Sequence, residues 1–471
     1  MRTLILLAAG TCALGAPSAA VRVTWTDTAA LHPRLEAAGI TAGTFASYAE
    51  RAHQANERRV RDGDLDHLIF YALQSTRFTT LAPIEPALSA SALVGALDDR
   101  EREAFLQTSR AEPGRVPSSA RSRLAALLRV LEAPGGDPRL RYFREVVDAA
   151  FPVHRERDAV LAREYLRVMR FVYEKEFVAP RSPRGADAVA ALYRTRGLST
   201  DTAVESGYLV SLGLGVIKAL EPDRRIRRVL IVGPGLDLAP RTAMLEDGPP
   251  ESYQPWAVID GLLAAGLTRL DDLTVVAADI NPRVVAHLRR ARIEPPALTL
   301  VSELRDSGSA GVSAEFRDYF VRLGRAVGEV KDSETPPRAG ASFVDGRLRK
   351  VVRINPAAAR VLRAETLDVV TERLDEAPFD LAIATNVLPY FDDVALMLAM
   401  SNVAAMLAPG GIFLHNEARP SMGDVTAALG LPLEQSRRAI LASPRGAVGL
   451  DGAVPPPLVD GVWLHRKSQS R

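Results

Sequence analysis

Apolar residues recur at steps of three and four through residues 21–184, and from residue 185 they gather instead into short runs separated by helical sequence. The first pattern predicts helices in "RLEAAGITAGTFASYAERAHQANERRV", "LDHLIFYALQ", "SARSRLAALLRVLEA" and "RDAVLAREYLRVMRFVYEKEF", with Pro and Gly clusters between them. The aromatics of "FVYEKEF" (171–177) read as the packing stripe of such a helix, and "PRSPRG" (180–185) as a boundary. Beyond it, beta-rich runs at 228–235, 273–281, 379–388 and 410–417 are each followed by helical sequence, the order expected of a parallel sheet covered on both faces. Two late strands, 433–441 and 460–467, joined by a Gly/Pro-rich connection, would form an antiparallel pair closing that sheet. The expected architecture is an all-α domain (21–184) followed by an α/β domain (185–471).

Composition changes this picture little. At 471 residues the chain suits two domains, and 47% hydrophobic with 25% charged residues is ordinary for a folded protein. A net charge of +2 gives no reason to expect nucleic acid, and the "RRIRR" run (224–228) reads as a solvated turn before a strand. The first twenty residues differ in kind. Their basic start, apolar run from Leu4 to Leu14, and small Ser18 and Ala20 read as a secretory signal (1–20), too short to span a membrane. Cys12, the single cysteine, lies inside it, so the chain from residue 21 has no disulfide, thiol nucleophile or thiolate metal site, and no stable membrane insertion is expected after signal removal.

Candidate chemistry begins at "VLIVGPGLDLAPR" (229–241), where an aliphatic run breaks into Gly233-Pro234-Gly235. In a doubly wound sheet, ligands bind beyond the carboxyl ends of the strands, and glycine there lets backbone approach ligand. A dinucleotide fingerprint would want a third glycine where Leu238 stands, and no Gly-Lys-Ser/Thr follows, so neither a nicotinamide site nor a P-loop fits well. The next strand ends in Asp279, placed to accept both hydroxyls of a ribose. The bland alternative is that Asp279 or Asn281 simply caps the helix that follows.

These residues resemble the class I S-adenosylmethionine-dependent methyltransferases over roughly residues 190–471. "VLIVGPGLD" resembles their first motif, with Asp237 where a further glycine is common; Asp279, with Ile280 beside it, matches the ribose acid. "VLRAETLD" (361–368) resembles the third-strand motif, whose acid, here Glu365 followed by Thr366, lies near the adenine amino group. "FDLAIATNVLPYFDD" (379–393) and "MLAPGGIFLHNE" (406–417) resemble the fourth-strand and fifth-strand motifs. The resemblance implies a doubly wound, mostly parallel, seven-stranded Rossmann-like sheet, S-adenosyl-L-methionine as cofactor, and a small-molecule or protein methyl acceptor. Together with "FRDYFVRLG" (316–324) and "GRLRKVVRI" (346–354), the element order resembles the chemoreceptor glutamate methyltransferases, although Thr385 stands where those carry Arg. From Gly235 to Asp279 is 44 residues, about twice the usual spacing. An insertion within 246–273 supplies the excess, with Tyr253 and Trp256 either lining the cleft or buttressing the extra helix. Ile231 replaces an acid common in relatives.

Methyl transfer needs alignment more than catalytic side chains. Asn386, Pro389 and Tyr390 would border the transferred methyl group, and His415 or Glu417 could serve as a general base. Ser199-Thr200-Asp201 reads as a helix cap, with Glu205 or Tyr208 on the following helix placed to cover the cofactor. The seven histidines show no pair at metal-ligand spacing and no H-E-x-x-H occurs, so no metal is expected, and no G-x-S-x-G elbow marks a nucleophile. Compartment is the tension: the signal points to export, whereas this cofactor is made in the cytosol. An exported, non-catalytic binding module that retains the fold is the alternative reading.

Overall fold

The computed structural model describes residues 20–109, 113–238, 246, 248–306, 310–332, 346–376, 378–417, 419, 421–444 and 457–469. Residues 1–19 of the expected signal therefore lie outside the described residues.

The strands in chain order are β1 (Ala20–Arg22), β2 (Arg228–Val232), β3 (Thr274–Asp279), β4 (Ala297–Arg305), β5 (Ala310–Val312), β6 (Gly328–Asp332), β7 (Arg347–Ile354), β8 (Leu362–Thr366), β9 (Glu372–Leu374), β10 (Phe379–Ala384), β11 (Leu407–His415), β12 (Leu433–Pro444) and β13 (Leu458–Arg466). The main sheet runs β5-β12-β13-β11-β10-β2-β3-β8. Its five strands from β8 to β11 are parallel, and β13, β12 and β5 follow as antiparallel neighbours. Helices Gln254–Ala264, Pro282–Ile293 and Asp393–Met406 follow β2, β3 and β10, giving a doubly wound α/β, Rossmann-like fold. The sheet has eight strands where seven were expected. The late pair β12 and β13 forms as anticipated but does not close it, because the short β5 adds to the outer edge of β12.

The strands are buried on both faces, as their unbroken aliphatic sequences require. Alternate residues feed two separate cores. Val229, Ile231, Val275, Ala277, Leu381 and Ile383 join one, and Leu230, Val232, Val276, Ala278, Ala382 and Ala384 the other. Each core also takes residues from before position 184. The first contains Leu68, Phe105, Phe143 and Tyr165, and the second contains Val23, Leu31, Leu35 and Phe45. The region expected to be wholly helical opens on a strand, since β1 pairs antiparallel with β9. Past β1 it is helical, and its longest element, Phe45–Gln74, crosses the carboxyl ends of the parallel strands.

A three-stranded antiparallel sheet, β4-β7-β6, lies between the helix after β3 and β8. The long spacing between Gly235 and Asp279 has a different source from the extra helix expected within 246–273. Helix Gln254–Ala264 is itself the crossover from β2 to β3, so the excess falls between the glycine loop and that helix. Tyr253 and Trp256 open this helix and are buried; the Tyr253 hydroxyl donates to the Ala203 carbonyl and accepts from the Gly207 N–H (3.0 Å).

Candidate functional site: a cavity between strand ends and the long helix

A sheet that starts at β2, winds to β3 and β8, then returns to place β10 on the other side of β2 has its switch point between β2 and β10, where a crevice forms. A cavity open to solvent lies there. Its sheet side follows the strand ends in order: Thr385, Asn386 and Val387 after β10, Gly233 and Gly235 after β2, Asp279 and Ile280 at β3, and Leu367, Asp368 and Val369 after β8. Its other side comes from Asn56 and Val60 of the long helix and from the segment Leu198–Thr202. Tyr390 and Phe391 complete the wall.

The glycine loop is held by close approach. Gly233 and Gly235 have φ of +66° and +74°, a conformation that side chains strain. A Cβ on Gly235 would collide with Thr202 Oγ1 and the Thr200 carbonyl oxygen, and one on Gly233 would collide with Val387. The loop is stitched to segment 199–202 by Leu236 N–H to the Thr200 carbonyl (2.7 Å), Thr200 Oγ1 to the Leu236 carbonyl (2.8 Å) and Thr202 Oγ1 to the Pro234 carbonyl (3.2 Å). The expected helix-cap role of Ser199-Thr200-Asp201 is not what the segment does. The helix Val204–Leu220 has Ala203 at its N-cap, and residues 199–202 line the cavity instead.

Asp279 is buried at the end of β3 and, among the described residues, receives only backbone donors, the Asn281 N–H at 2.8 Å and the Gly235 N–H at 3.4 Å. Burial chiefly, with the nearby charge of Asp64, pushes its carboxyl up to about 6. The helix cap is Asn281, whose Oδ1 accepts from Arg283 N–H (2.9 Å), so Asp279 is free of that duty. Asn281 Nδ2 donates to Asp64 of the long helix (2.9 Å), which also accepts from the Tyr142 hydroxyl and from Arg283 (both 2.8 Å).

The long helix carries further buried polar groups toward this region. Its Gly63 lies so close to the backbone of Gly197 and Leu198 that a Cβ on it would overlap the Leu198 carbonyl oxygen. That crossing brings His67 under the cavity wall. The Thr200 N–H donates to His67 Nε2 (3.1 Å), which puts the ring proton on Nδ1, 3.5 Å from Asp201 Oδ1. Farther along, His53 and Asn56 both donate to Asp368.

Several expected site residues sit elsewhere. Glu365 is still inside β8, where it pairs with Arg363 (3.1 Å) and Arg289 (3.4 Å) rather than facing the cavity; the acid past the strand end is Asp368. Thr366 lines a neighbouring opening of about 1040 Å³, beside His53, Asp64 and Arg283. Asp237 bridges to Glu251 in a second cavity, and burial with the Asp237 charge raises Glu251 to about 8. Pro234 contributes only its carbonyl to the loop. Ile231, Glu205 and Tyr208 are buried in packing, with Glu205 accepting from the Glu303 N–H (2.9 Å) and the Leu304 N–H (3.2 Å). His415 is withdrawn among Phe413, Trp463 and His465, and burial with the neighbouring His465 lowers it to about 3, so it neither reaches the cavity nor binds a proton near neutral pH.

Asn386 and Tyr390 do face the cavity. Asn386 adopts φ +59° and is locked by reciprocal bonds with Asn416 (2.9 and 2.7 Å) and by donation to Ser206 Oγ (2.7 Å). Tyr390 stacks edge-on to Tyr193, with Arg59 over its ring, and burial raises its phenol above the ordinary range. Among the described residues there is no cluster of three metal-ligating side chains, and no helix is long and apolar enough to cross a membrane.

No family model and no curated protein sequence matches the chain. Among solved structures it is similar to the N-methyltransferase NodS from Bradyrhizobium japonicum WM9, at 13% identity over 55% of this chain and 85% of that one, with a TM-score of 0.26. It is similar to the amino pentose methyltransferase CalS10 from Micromonospora echinaspora, at 13% identity over 59% and 95%, TM-score 0.27. It is also similar to the magnesium protoporphyrin IX methyltransferase ChlM from Synechocystis PCC 6803, at 8% identity over 56% and 81%, TM-score 0.28. These scores are too low to bear on function, which rests on the cavity itself.

Proposed function

We propose that the cavity binds S-adenosyl-L-methionine and that the protein transfers its methyl group to an oxygen or nitrogen of a small-molecule or protein acceptor. The observation that carries this reading is Asp279, a buried carboxylate on the cavity wall with only two backbone donors, one of them long. A vicinal diol would supply the donors it lacks, and the positive-φ glycines leave room for a ligand to lie against the loop. Asp279 and Ile280 would hold the ribose, Gly233 and Gly235 the backbone-facing edge, and Asn386 and Tyr390 the end near the reacting methyl.

When bound, the cofactor supplies a methyl group activated on a sulfonium. This chain's own residues align, shield and move a proton. Asn386 is immobilised by Asn416 and Ser206, so it offers a fixed wall. Tyr390 keeps its proton at neutral pH and can only donate or orient. Asp279 is committed to the ligand hydroxyls and Asp368 to donors of the protein, which leaves Asp201, 3.5 Å from His67 Nδ1, to accept a proton from the acceptor in place of His415.

Calorimetric titration of the purified chain with S-adenosylmethionine and S-adenosylhomocysteine tests this. Both should bind, and Asp279→Ala should weaken them by at least about a hundredfold, the loss of two charge-assisted hydrogen bonds. No heat from a wild-type chain shown to be folded would sink the reading.

A further inference from the structure

Along the row of strand ends, Asp279 stands at β3, the glycine loop one strand to one side at β2, and Asp368 one strand to the other at β8. A nucleoside gripped by its sugar at Asp279 can direct its base either way. Toward β10 the wall is mixed, with Thr385, Asn386 and Tyr390 beside Val387 and Phe391. Toward β8 it is apolar, with Ile280, Leu367 and Val369, and it ends at Asp368 and Asn56, so the flat base belongs there.

Asp368 is already saturated. Its Oδ1 accepts from the Val370 N–H (3.1 Å) and Asn56 Nδ2 (3.2 Å), and its Oδ2 from Thr371 Oγ1 (2.9 Å), His53 Nδ1 (3.1 Å) and Asn56 Nδ2 (3.2 Å). A carboxylate with about four acceptor positions has none left for a ligand. Because an ionised carboxylate only accepts, the Asn56 amide must turn its nitrogen toward Asp368. Its carbonyl oxygen then points away, on a residue that lines the cavity and whose side chain, among the described residues, hydrogen-bonds only to Asp368.

We propose that Asn56 reads the base: its side-chain carbonyl accepts the 6-amino group of adenine, and Asp368, with His53 and Thr371 behind it, fixes the amide in that sense. The assignment rests on the S-adenosylmethionine reading and adds to it a specificity residue supplied by the N-terminal helix. A 6-oxo purine would set its oxygen against the Asn56 carbonyl and be rejected.

The test is calorimetric binding of S-adenosylhomocysteine and its 6-oxo analogue, S-inosylhomocysteine, to the full wild-type chain and to Asn56→Ala. Wild type should prefer the adenosyl ligand by at least about tenfold, and the variant should bring the two within about threefold, as expected from losing one specific amide-to-adenine contact. Asn56→Leu, similar in volume, replaces the alanine variant if circular dichroism shows that variant unfolded. A preference that persists in a folded variant, or wild-type binding of both ligands equally, overturns the role of Asn56 alone. Wild-type binding of neither ligand overturns the cofactor reading and this assignment with it.

Discussion

The sheet side of the cavity offers backbone, aliphatic side chains and the carboxylates that lie at or just past the ends of β3 and β8, whereas the helical side is a buried polar mesh. On the first, Gly233, Gly235, Ile280 and Val387 shape the space, and Asp279 takes its hydrogen bonds from main chain. On the second, His53, Asn56, Asp64 and His67, spaced by three, eight and three residues along one face of a single helix, are each bonded to a residue more than a hundred positions away. The sheet side supplies shape and a charge with acceptor capacity to fill. The helical side supplies orientation, because its polar groups satisfy one another and leave few conformations open.

Equivalent steric insults should therefore have different readouts on the two sides. Gly63→Ala forces a Cβ into the Leu198 carbonyl oxygen within the helical crossing, and it should cost about 3 kcal/mol of stability by chemical denaturation. Gly235→Ala adds a positive-φ penalty and clashes with Thr202 and the Thr200 carbonyl oxygen, so it should cost stability to a similar degree and also abolish S-adenosylhomocysteine binding, which Gly63→Ala should only weaken. Equal losses of binding in the two folded variants would erase the distinction.

A second test uses the Asp279 carboxyl. The Asp279 carboxyl, raised to about 6 from an ordinary value of 3.8, keeps a proton in the folded chain over a window where the unfolded chain has lost it. Stability should fall as pH rises from about 4 to 6 and level off above, since the charged form is the disfavoured one. Ligand hydroxyls favour the carboxylate, so affinity should rise with pH to about 6 with release of up to one proton, then flatten. Asp64→Asn removes the neighbouring charge and should move that plateau to lower pH by less than about one unit, read by calorimetry in buffers of different ionisation enthalpy.

The smallest effect should be at His415. His415→Gln leaves both sides of the cavity intact, so binding should change by less than about twofold while stability drops, because a buried ring packed against Trp463 and His465 is lost. A large loss of affinity would bring the fifth strand back into the site.

The sheet side was legible in the sequence because its signals are local. Aliphatic runs ending in Gly-Pro-Gly or in Asp announce parallel strands and what lies just past them, and Asp279, Asn386 and Tyr390 do face the cavity. Glu365 was three residues short because alternation along β8 was hidden by a strand whose end could not be fixed to a residue. The helical side was not legible. "HQANERRVRDGDLDH" reads as a solvated helix face, since buried polar residues and exposed ones look alike until their distant partners are known. Gly63 between two aspartates was the one local hint, a glycine inside a helix where close approach of another backbone is a reason for it. Ser199-Thr200-Asp201 was misread for a related reason: the same side chains that cap a helix can stitch a loop.

The bonds from His53 and Asn56 to Asp368 span 315 and 312 residues, and β1 pairs with β9 across a similar interval. During synthesis, the long helix Phe45–Gln74 and the helices after it emerge before the strand ends that its polar stripe meets. Those strands arrive only as translation nears residue 390. Assembly of the cavity is thus a late, high-contact-order event, slow by nature, and until it happens the nascent chain presents buried-state polar groups to water and incomplete apolar cores to its neighbours.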